Sequence, residues 1–596
     1  MRPLPILLLA LLSVPLAAQP VRYVDADASG SGDGLSWANA HTDLQDALAA
    51  AQPGDEVWVA EGTYRPTDGA DRDATFQLQS GVALYGGFDG TETQRDQRDW
   101  ATHETVLSGD IGAPGDEADN SHHVVTGSGT DATAVLDGVT VTAARADGLF
   151  PRNRGGGMRN DAGSPTVRHV VFRGNVARRS PDGRDAFGAG MYNENGSSPL
   201  LEDVRFERNV SGTPGNGAAG GLANRVGSSP TLRGVVFLEN EAGALAGGMA
   251  NESGSHPLLV DVQFIRNHSH GWTGGLDNYD DASPALYNVV FYGNTCANYG
   301  GGITNDTGGD ALLVNVLFVG NVAENAAAVG AGGLQNDGSS PTLVGVTFVG
   351  NEAPNGAADG LGHRGGGTAT LRDVAFWGNG TEILDETGGG LDLSHAVVQG
   401  GFPGGTAVLD ADPLFVRPPS PGPDGTWGTE DDDYGDLRLQ PASPALDAGD
   451  ATHLPADLAD LDGDGDTAEA IPLDLDGGPR VQGGALDLGA YEGATVVAAE
   501  PPAFPDTFLL SLISPNPFSG SARFSLYVSR PQRVILTLYD TLGRRVLRLH
   551  DGPLTPGISH AFDLDAQDLP GGVYFMRAKG ENFAATRRAV HLPSPR

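Results

Sequence analysis

The sequence predicts an all-β chain: a parallel β-helix with an N-terminal cap helix, followed by a small immunoglobulin-like β-sandwich. The first observation behind this is a repeat. Between Phe172 and Asn379 the pattern apolar-x-x-Val-x-Phe-x-x-Asn recurs eight times, with Phe at 172, 206, 237, 264, 291, 318, 348 and 376. These anchors lie 34, 31, 27, 27, 27, 30 and 28 residues apart, and a near-constant period in this range marks stacked supersecondary units. The second observation is local. Val-x-Phe has the strand period of two, the runs are bounded by Gly, Pro, Asn or Asp, and no unit offers the i, i+3, i+4 spacing of a helix. The third is a charge shift. The chain carries a net charge of −40, but from Pro505 onward it is near +4, leaving about −44 on the rest. That shift marks a separate C-terminal module.

Taken in order, residues 1–18 read as a secretory signal: Arg2 supplies the positive start, Leu7 to Leu12 the apolar centre and Leu16-Ala17-Ala18 the small-residue cleavage site. No stretch is long and apolar enough to span a bilayer, so no transmembrane segment is expected in the mature chain. The acidic balance excludes nucleic acid and anionic lipid as partners and favours divalent cations. Cys296 is the only cysteine, so stability must come from packing or metal rather than cross-links.

Residues 19–150 form the N-terminal cap and first irregular coils. Thr42–Ala51 reads as a short helix, with Leu44, Ala47, Leu48 and Ala51 on one face and Thr42 or Asp43 as N-cap. It would cover the open end of the solenoid. Strands are expected at Glu56–Val59, Phe76–Leu78 and Val82–Tyr85.

Residues 151–410 form the regular coils. In the unit Gly274–Gly300, Leu276 follows two glycines, Ser283-Pro284 turns the chain, Leu286, Val289 and Phe291 point inward, and Asn294 closes the unit. Each strand pairs with its copy one coil away, about 4.8 Å along the axis. Phe, Val and Leu/Met/Ile columns then stack inside, and stacked Asn amides satisfy polar groups that a tight bend would bury. A propeller is the runner-up, but its blades need about 40–50 residues and four strands each. The stretch between the closing Asn and the next glycines varies, with 13, 10, 6, 6, 6 and 10 residues from Asn175 onward. Insertions confined to one turn line one edge of the rod, where function usually sits.

The run Asp43-Leu44-Gln45-Asp46-Ala47-Leu48 … Pro53-Gly54-Asp55-Glu56-Val57-Trp58-Val59-Ala60-Glu61-Gly62-Thr63-Tyr64, followed by Gly-Gly-x-x-Asn coils, resembles secreted bacterial right-handed parallel β-helix repeat proteins of pectate-lyase-like fold. The likeness covers roughly 21–400. Residues 411–493 turn acidic. Asp412-Pro413-Leu414-Phe415, Ser443-Pro444-Ala445-Leu446-Asp447-Ala448-Gly449 and Asp487-Leu488-Gly489-Ala490-Tyr491-Glu492 resemble the C-terminal segment of the choice-of-anchor family. This segment is expected to supply acidic closing coils.

Within it, Asp460, Asp462, Asp464 and Asp466 with Glu469 are candidate Ca²⁺ ligands. Carboxylates fall at positions 1, 3 and 5 of an EF-hand-type loop with Gly465 at position 6. Position 12, where that loop carries a bidentate Glu, is Ile471, so Glu469 or Asp474 has to substitute.

Residues 494–507, with Pro501-Pro502 and Pro505, read as a linker. Residues 508–596 follow with strands expected at Ala522–Val528, Arg533–Tyr539, Arg545–Leu549, His560–Leu564 and Gly572–Ala578, a small β-sandwich. Ser514-Pro515-Asn516-Pro517-Phe518, Leu538-Tyr539-Asp540-Thr541-Leu542-Gly543-Arg544 and Leu569-Pro570-Gly571-Gly572-Val573-Tyr574-Phe575 resemble the type A C-terminal sorting domain of type IX secretion. The resemblance implies handling by the type IX machinery and a secreted or outer-membrane surface-attached product.

For activity, the fold resemblance implies a search for lyase chemistry, in which Asp-bound Ca²⁺ and an Arg or Lys base remove a proton beside a uronate carboxyl. The outward position three before each Phe reads His169, Asp203, Gly234, Asp261, Asn288, Asn315, Gly345 and Asp373, and the neighbouring column adds Arg205. Asp203 and Asp261 fall two coils apart, about 9–10 Å, so Asp203, Asp261 and Arg205 form only a loose catalytic candidate. Trp272, Tyr279, Tyr292 and Tyr299, with Tyr287, cluster in two adjacent coils, and aromatic faces on a rigid sheet can stack on sugars. The expected role is therefore binding of an extracellular polysaccharide or other partner without catalysis. The alternatives are a polysaccharide lyase or glycosidase, and a structural adhesin stalk.

Overall fold

The computed structural model describes residues 20–493 apart from 326–329, 355–356 and 389, and, in the C-terminal module, residues 508–510, 518, 521–528, 532–540, 544–555, 559–565, 569–580 and 584–591. The signal segment and the linker lie outside these residues. The chain from Val21 to Leu409 winds into a parallel β-helix with three sheets. In one coil Met158–Asp161 belongs to an 11-stranded sheet (sheet B), Thr166–Arg168 and Val171–Arg173 to a 22-stranded sheet (sheet A), and Val176–Ala177 to a 7-stranded sheet (sheet C). The pairings between coils are parallel, and in the regular coils they hold register; Phe237 pairs Phe264 and Phe264 pairs Phe291.

That register produces the predicted columns. From Phe172 to Phe376 the rings stack face to face, with successive centroids 5.1, 5.0, 4.7, 4.7, 4.9, 4.5 and 4.4 Å apart. Each fully buried Phe contributes about 1.5–3 kcal/mol of burial, and offset stacking adds about 0.5–1.5 kcal/mol per pair. Beside this stack runs the Asn column. The Asn294 Nδ2 donates to Asn321 Oδ1 at 2.9 Å and to the Phe264 carbonyl at 2.9 Å, while its Oδ1 accepts from the backbone N–H of Asn267 at 3.0 Å. The pattern repeats from Asn175 to Asn379, where Glu382 closes it by accepting from the Asn379 backbone N–H at 3.1 Å. A second amide ladder, not foreseen, links Asn160, Asn193, Asn224, Asn251, Asn278 and Asn305 along sheet B at 2.8–2.9 Å.

At the N-terminal end, helix α1 (Leu44–Ala50) is capped by Asp43, whose carboxylate accepts from the Gln45 N–H at 2.8 Å. Its Leu44, Ala47 and Leu48 join the same apolar core as Val57, Phe76 and the Phe stack. The helix exists because one face can plug the open core.

Residues 411–493 correct the expectation of closing coils. The last sheet A strand is Thr406–Leu409; beyond it the only strands in this segment are an antiparallel pair, Phe415–Arg417 with Asp436–Leu439. The segment instead returns along the outer face of sheet A. Phe415, Leu437, Leu439, Ala445, Leu488 and Ala490 cover Val290, Leu317, Val319, Val349, Ala375 and Val397, and Ala459 and Ile471 cover Val260, Tyr287 and Val314. These outward solenoid positions are apolar, so the sheet had to be buried on both faces.

The C-terminal module has two antiparallel sheets. Phe508–Leu510, Ser521–Val528 and Ser559–Asp565 form one, and Gln532–Asp540, Arg545–Leu554, Gly572–Lys579 and Ala584–His591 the other. Phe524, Leu526, Leu536, Leu538 and Met576 lie in the core between them. The first and last of these strands were not anticipated.

Candidate functional site

In each coil one left-handed residue separates the two strands of sheet A or, from Asn315 onward, lies within the single strand that replaces them. Its φ is 50° at His169, 53° at Asp203, 65° at Gly234, 55° at Asp261, 56° at Asn288, 54° at Asn315, 63° at Gly345 and 55° at Asp373. This is the outward column searched for catalytic groups, and its run of Gly, Asn and Asp follows first from the backbone, because those residues tolerate the left-handed region best.

The catalytic candidates do not converge. The Asp203 carboxylate lies 3.8 Å from His169 Nε2. His169 Nδ1 is 2.8 Å from Asp137, which Arg98 also holds at 2.8 Å. Burial opposes ionisation there, yet the His169 hydrogen bond and the Arg98 charge keep the Asp137 carboxyl below its usual range. Arg205 donates to Glu207 at 3.1 Å. Asp261 accepts from Asn288 at 3.2 Å, and desolvation raises its carboxyl.

The five aromatics divide as well. Tyr292 stacks on Tyr434 of the return segment, with centroids 4.5 Å apart and planes at 11°, and Tyr287 is buried beneath Ala459 and Ile471. Both are packing residues under a cover that the repeat pattern did not reveal. Tyr279 is 40% exposed at the end of the strand Leu276–Tyr279. Trp272 and Tyr299 do meet, on the variable edge between sheets C and B. They are half-buried on consecutive coils with ring centroids 5.2 Å apart. The Tyr299 N–H donates to the Trp272 carbonyl at 3.0 Å, and the Arg364 guanidinium sits 5.4 Å from the Tyr299 ring centre, anchored by Asp337 at 2.6 Å. On the neighbouring strand of sheet B the buried Asp277 accepts from the Thr273 hydroxyl at 2.8 Å; burial pushes its carboxyl up to about 7. The single cysteine, Cys296, is buried and its thiol is pushed up to about 12 by desolvation.

The acidic loop is more compact than its sequence promised. Carboxylate oxygens of Asp460, Asp462 and Asp464 lie within 4.8 Å of one another, as do those of Asp457, Asp462 and Glu469. Asp466 belongs to neither group and turns to accept from the Ala468 N–H at 3.0 Å. Asp457 was missed because it precedes the loop. It is fully buried, one oxygen accepts from the Leu461 N–H at 2.7 Å, and the other has no partner among the described residues. Desolvation, then the charges of Asp464, Asp462, Asp466 and Asp457, raise the Glu469 carboxyl. Ile471, at the position of the absent Glu, is 1% exposed and faces the solenoid. The position where an EF-hand-type loop carries its Glu is thus a packing residue here, and Asp457 and Glu469 gather beside Asp462 instead.

Residues 512–591 match the family described as the secretion system C-terminal sorting domain. No curated protein is similar enough to match. Among solved structures, the chain is similar to the crystal structure of the pectate lyase Pel9A, at 15% identity and a TM-score of 0.33, covering 79% of this chain and 96% of that one. It is also similar to a rhamnogalacturonan lyase, at 9% identity and a TM-score of 0.22, covering 66% of this chain and 85% of that one. At that level neither structure informs activity. The sorting domain is the stronger finding: the chain is handled by the type IX secretion system and is secreted or attached at the cell surface. No helix among the described residues is long and apolar enough to cross a membrane.

Proposed function

We propose that this exported β-helix is a glycan-binding scaffold that acts without catalysis, and that Ca²⁺ is its structural ion. The observation that supports binding is the Trp272–Tyr299 pair. Two rings held 5.2 Å apart by hydrogen-bonded coils present a partly exposed, preorganised aromatic edge, and such an edge can stack on a sugar without ordering cost. Arg364 beside it supplies a donor fork for hydroxyl or carboxylate groups. Asp203, Asp261 and Arg205 each face a different partner, which gives the lyase alternative no assembled site to rest on.

Ca²⁺ would be held by Asp457, Asp460, Asp462, Asp464 and Glu469, all hard oxygen donors. The buried, half-satisfied Asp457 supports this, because an unpaired buried carboxylate oxygen is costly. In this role the ion fixes the loop that carries Ala459 and Ile471 onto the solenoid.

The test is a glycan-array screen followed by titration of the best ligand. Trp272→Ala or Tyr299→Ala should each weaken binding about tenfold, equivalent to ~1.4 kcal/mol. Unchanged binding in both variants, or new reducing ends or unsaturated sugar on incubation with polysaccharide, would reject the proposal.

A further inference from the structure

The left-handed column does not end at Asp373. Phe376 pairs with Val398 in the next coil, so the equivalent position there is His395, whose φ is 53° against 55° for Asp373. The two side chains therefore project from neighbouring coils at the same point of the sheet. The return segment brings a third group to them. Nδ1 of His453 lies 2.8 Å from Oδ2 of Asp373, and the His453 ring sits edge-on to His395 with centroids 5.1 Å apart. One ligating atom from each of Asp373, His395 and His453 falls within 4.8 Å of the others.

Two features distinguish this cluster from a simple carboxylate–imidazole pair. The Asp373 side chain is fully buried, with its Oδ1 fixed by the Asp450 N–H at 2.9 Å, so its Oδ2 is aimed rather than free to rotate. The Nδ1 of His395 is itself buried with no hydrogen-bond partner among the described residues. A buried imidazole nitrogen left unpaired is unfavourable, and the His395 ring places a nitrogen within 4.8 Å of both a carboxylate oxygen and a second imidazole.

We propose that Asp373, His395 and His453 bind a zinc ion that pins the return segment to the last coils of the solenoid. Two neutral imidazoles and one carboxylate are a donor set that suits Zn²⁺. Three protein ligands leave a fourth position for water, and the His453 side chain, 18% exposed, gives solvent a route to it. The Asp450 N–H orients the carboxylate from behind, the usual arrangement around a metal-ligating group. The set differs in chemistry from the all-oxygen acidic loop, so the two ions are separable.

The experiment uses the full chain, stripped with a chelator and titrated with Zn²⁺ alone by calorimetry, with Co²⁺ as a spectroscopic stand-in. One Zn²⁺ per chain is expected, with a Co²⁺ ligand-field spectrum showing nitrogen donors. Both should disappear in His395→Ala and His453→Ala while Ca²⁺ uptake persists. In the unmodified protein, Zn²⁺ should also protect these two histidines from diethyl pyrocarbonate, a readout that does not depend on a variant folding. Absence of Zn²⁺ uptake by the unmodified protein, uptake unchanged in His395→Ala, or uptake lost only in Asp457→Asn would each overturn the assignment.

Discussion

Replacing Gly345 by Ala tests how the return segment is seated. Gly345 occupies the left-handed column at φ 63°, and an added Cβ would lie 2.5 Å from Nη2 of Arg480 and 3.2 Å from the Gly489 carbonyl. Arg480 is fully buried; its guanidinium donates to Glu492 at 3.1 Å and to the Gly489 carbonyl at 2.7 Å. The substitution therefore does two things. Forcing Ala into the left-handed region costs about 1–2 kcal/mol, and displacing the guanidinium breaks a buried ion pair, which costs about 3–5 kcal/mol. A loss of roughly 4–7 kcal/mol is expected, confined to the docking of residues 411–493. Gly378 is the control: its φ is 75° and nothing lies within 4 Å of the added Cβ, so Gly378→Ala should cost only the backbone part, about 1–2 kcal/mol. Urea titration with limited proteolysis reads both, since a released segment is cut while the coils stay protected. Equal losses in the two variants would refute the docking geometry.

The other predictions concern the ladder, the acidic loop and one buried acid. Asn294→Ala removes the bonds to Asn321, Phe264 and Asn267 and strands buried backbone groups; at about 1–3 kcal/mol per unsatisfied group, a loss of several kcal/mol in urea unfolding is expected, comparable to Phe291→Ala at about 3–5 kcal/mol. Added Ca²⁺ should raise the melting temperature of the return segment by scanning calorimetry, and Asp457→Asn should abolish the increase although that residue lies outside the loop motif. Asp277 binds a proton on folding, because its carboxyl rises from 3.8 to about 7. The stability it contributes is complete below about pH 4 and is lost as pH rises through about 7. Asp277→Asn should remove that loss, making the variant more stable than the parent at about pH 8 by up to ~4 kcal/mol, while the two converge near pH 4; matched urea curves at both pH values check it.

The solenoid was legible in the sequence because one turn of chain carries one copy of each inward residue, and stacking turns a spacing into a column. The same logic failed where the anchor changed. Val398 replaces Phe in the next coil, so the outward column was read only as far as Asp373 and His395 was passed over. The return segment was invisible for a different reason: it has no period, and its contacts are remote, as between Arg233 and the Ala459 carbonyl at 3.0 Å. A signal was nevertheless present on the partner surface. Outward positions in early coils include the charged Arg168, Glu202, Arg205 and Arg233, whereas later ones include the apolar Val260, Tyr287, Val290, Leu317 and Val397. A strand apolar on both faces must be covered on both. That change also decides the aromatics: Tyr287 and Tyr292 sit on the apolar stretch, Trp272 and Tyr299 on the edge beside it.

Apolar contact alone would let the return segment slide along the sheet, since Val, Leu and Ala side chains offer little direction. The left-handed column supplies the register. At this column polar groups face outward in the midst of an apolar surface, and the return segment meets them: Nδ2 of Asn315 donates to the Leu473 carbonyl at 2.8 Å, the carbonyl of Asp373 accepts from the Gly489 N–H at 2.8 Å, and Arg480 fills the space above Gly345. A shift of one coil would break these contacts, at about 1–3 kcal/mol for each group left buried and unpaired. Burial thus supplies the energy of docking and the polar column its uniqueness. With that much of sheet A committed to an internal contact, the proposed glycan site falls on the rim where coil lengths vary, where Trp272 and Tyr299 stand.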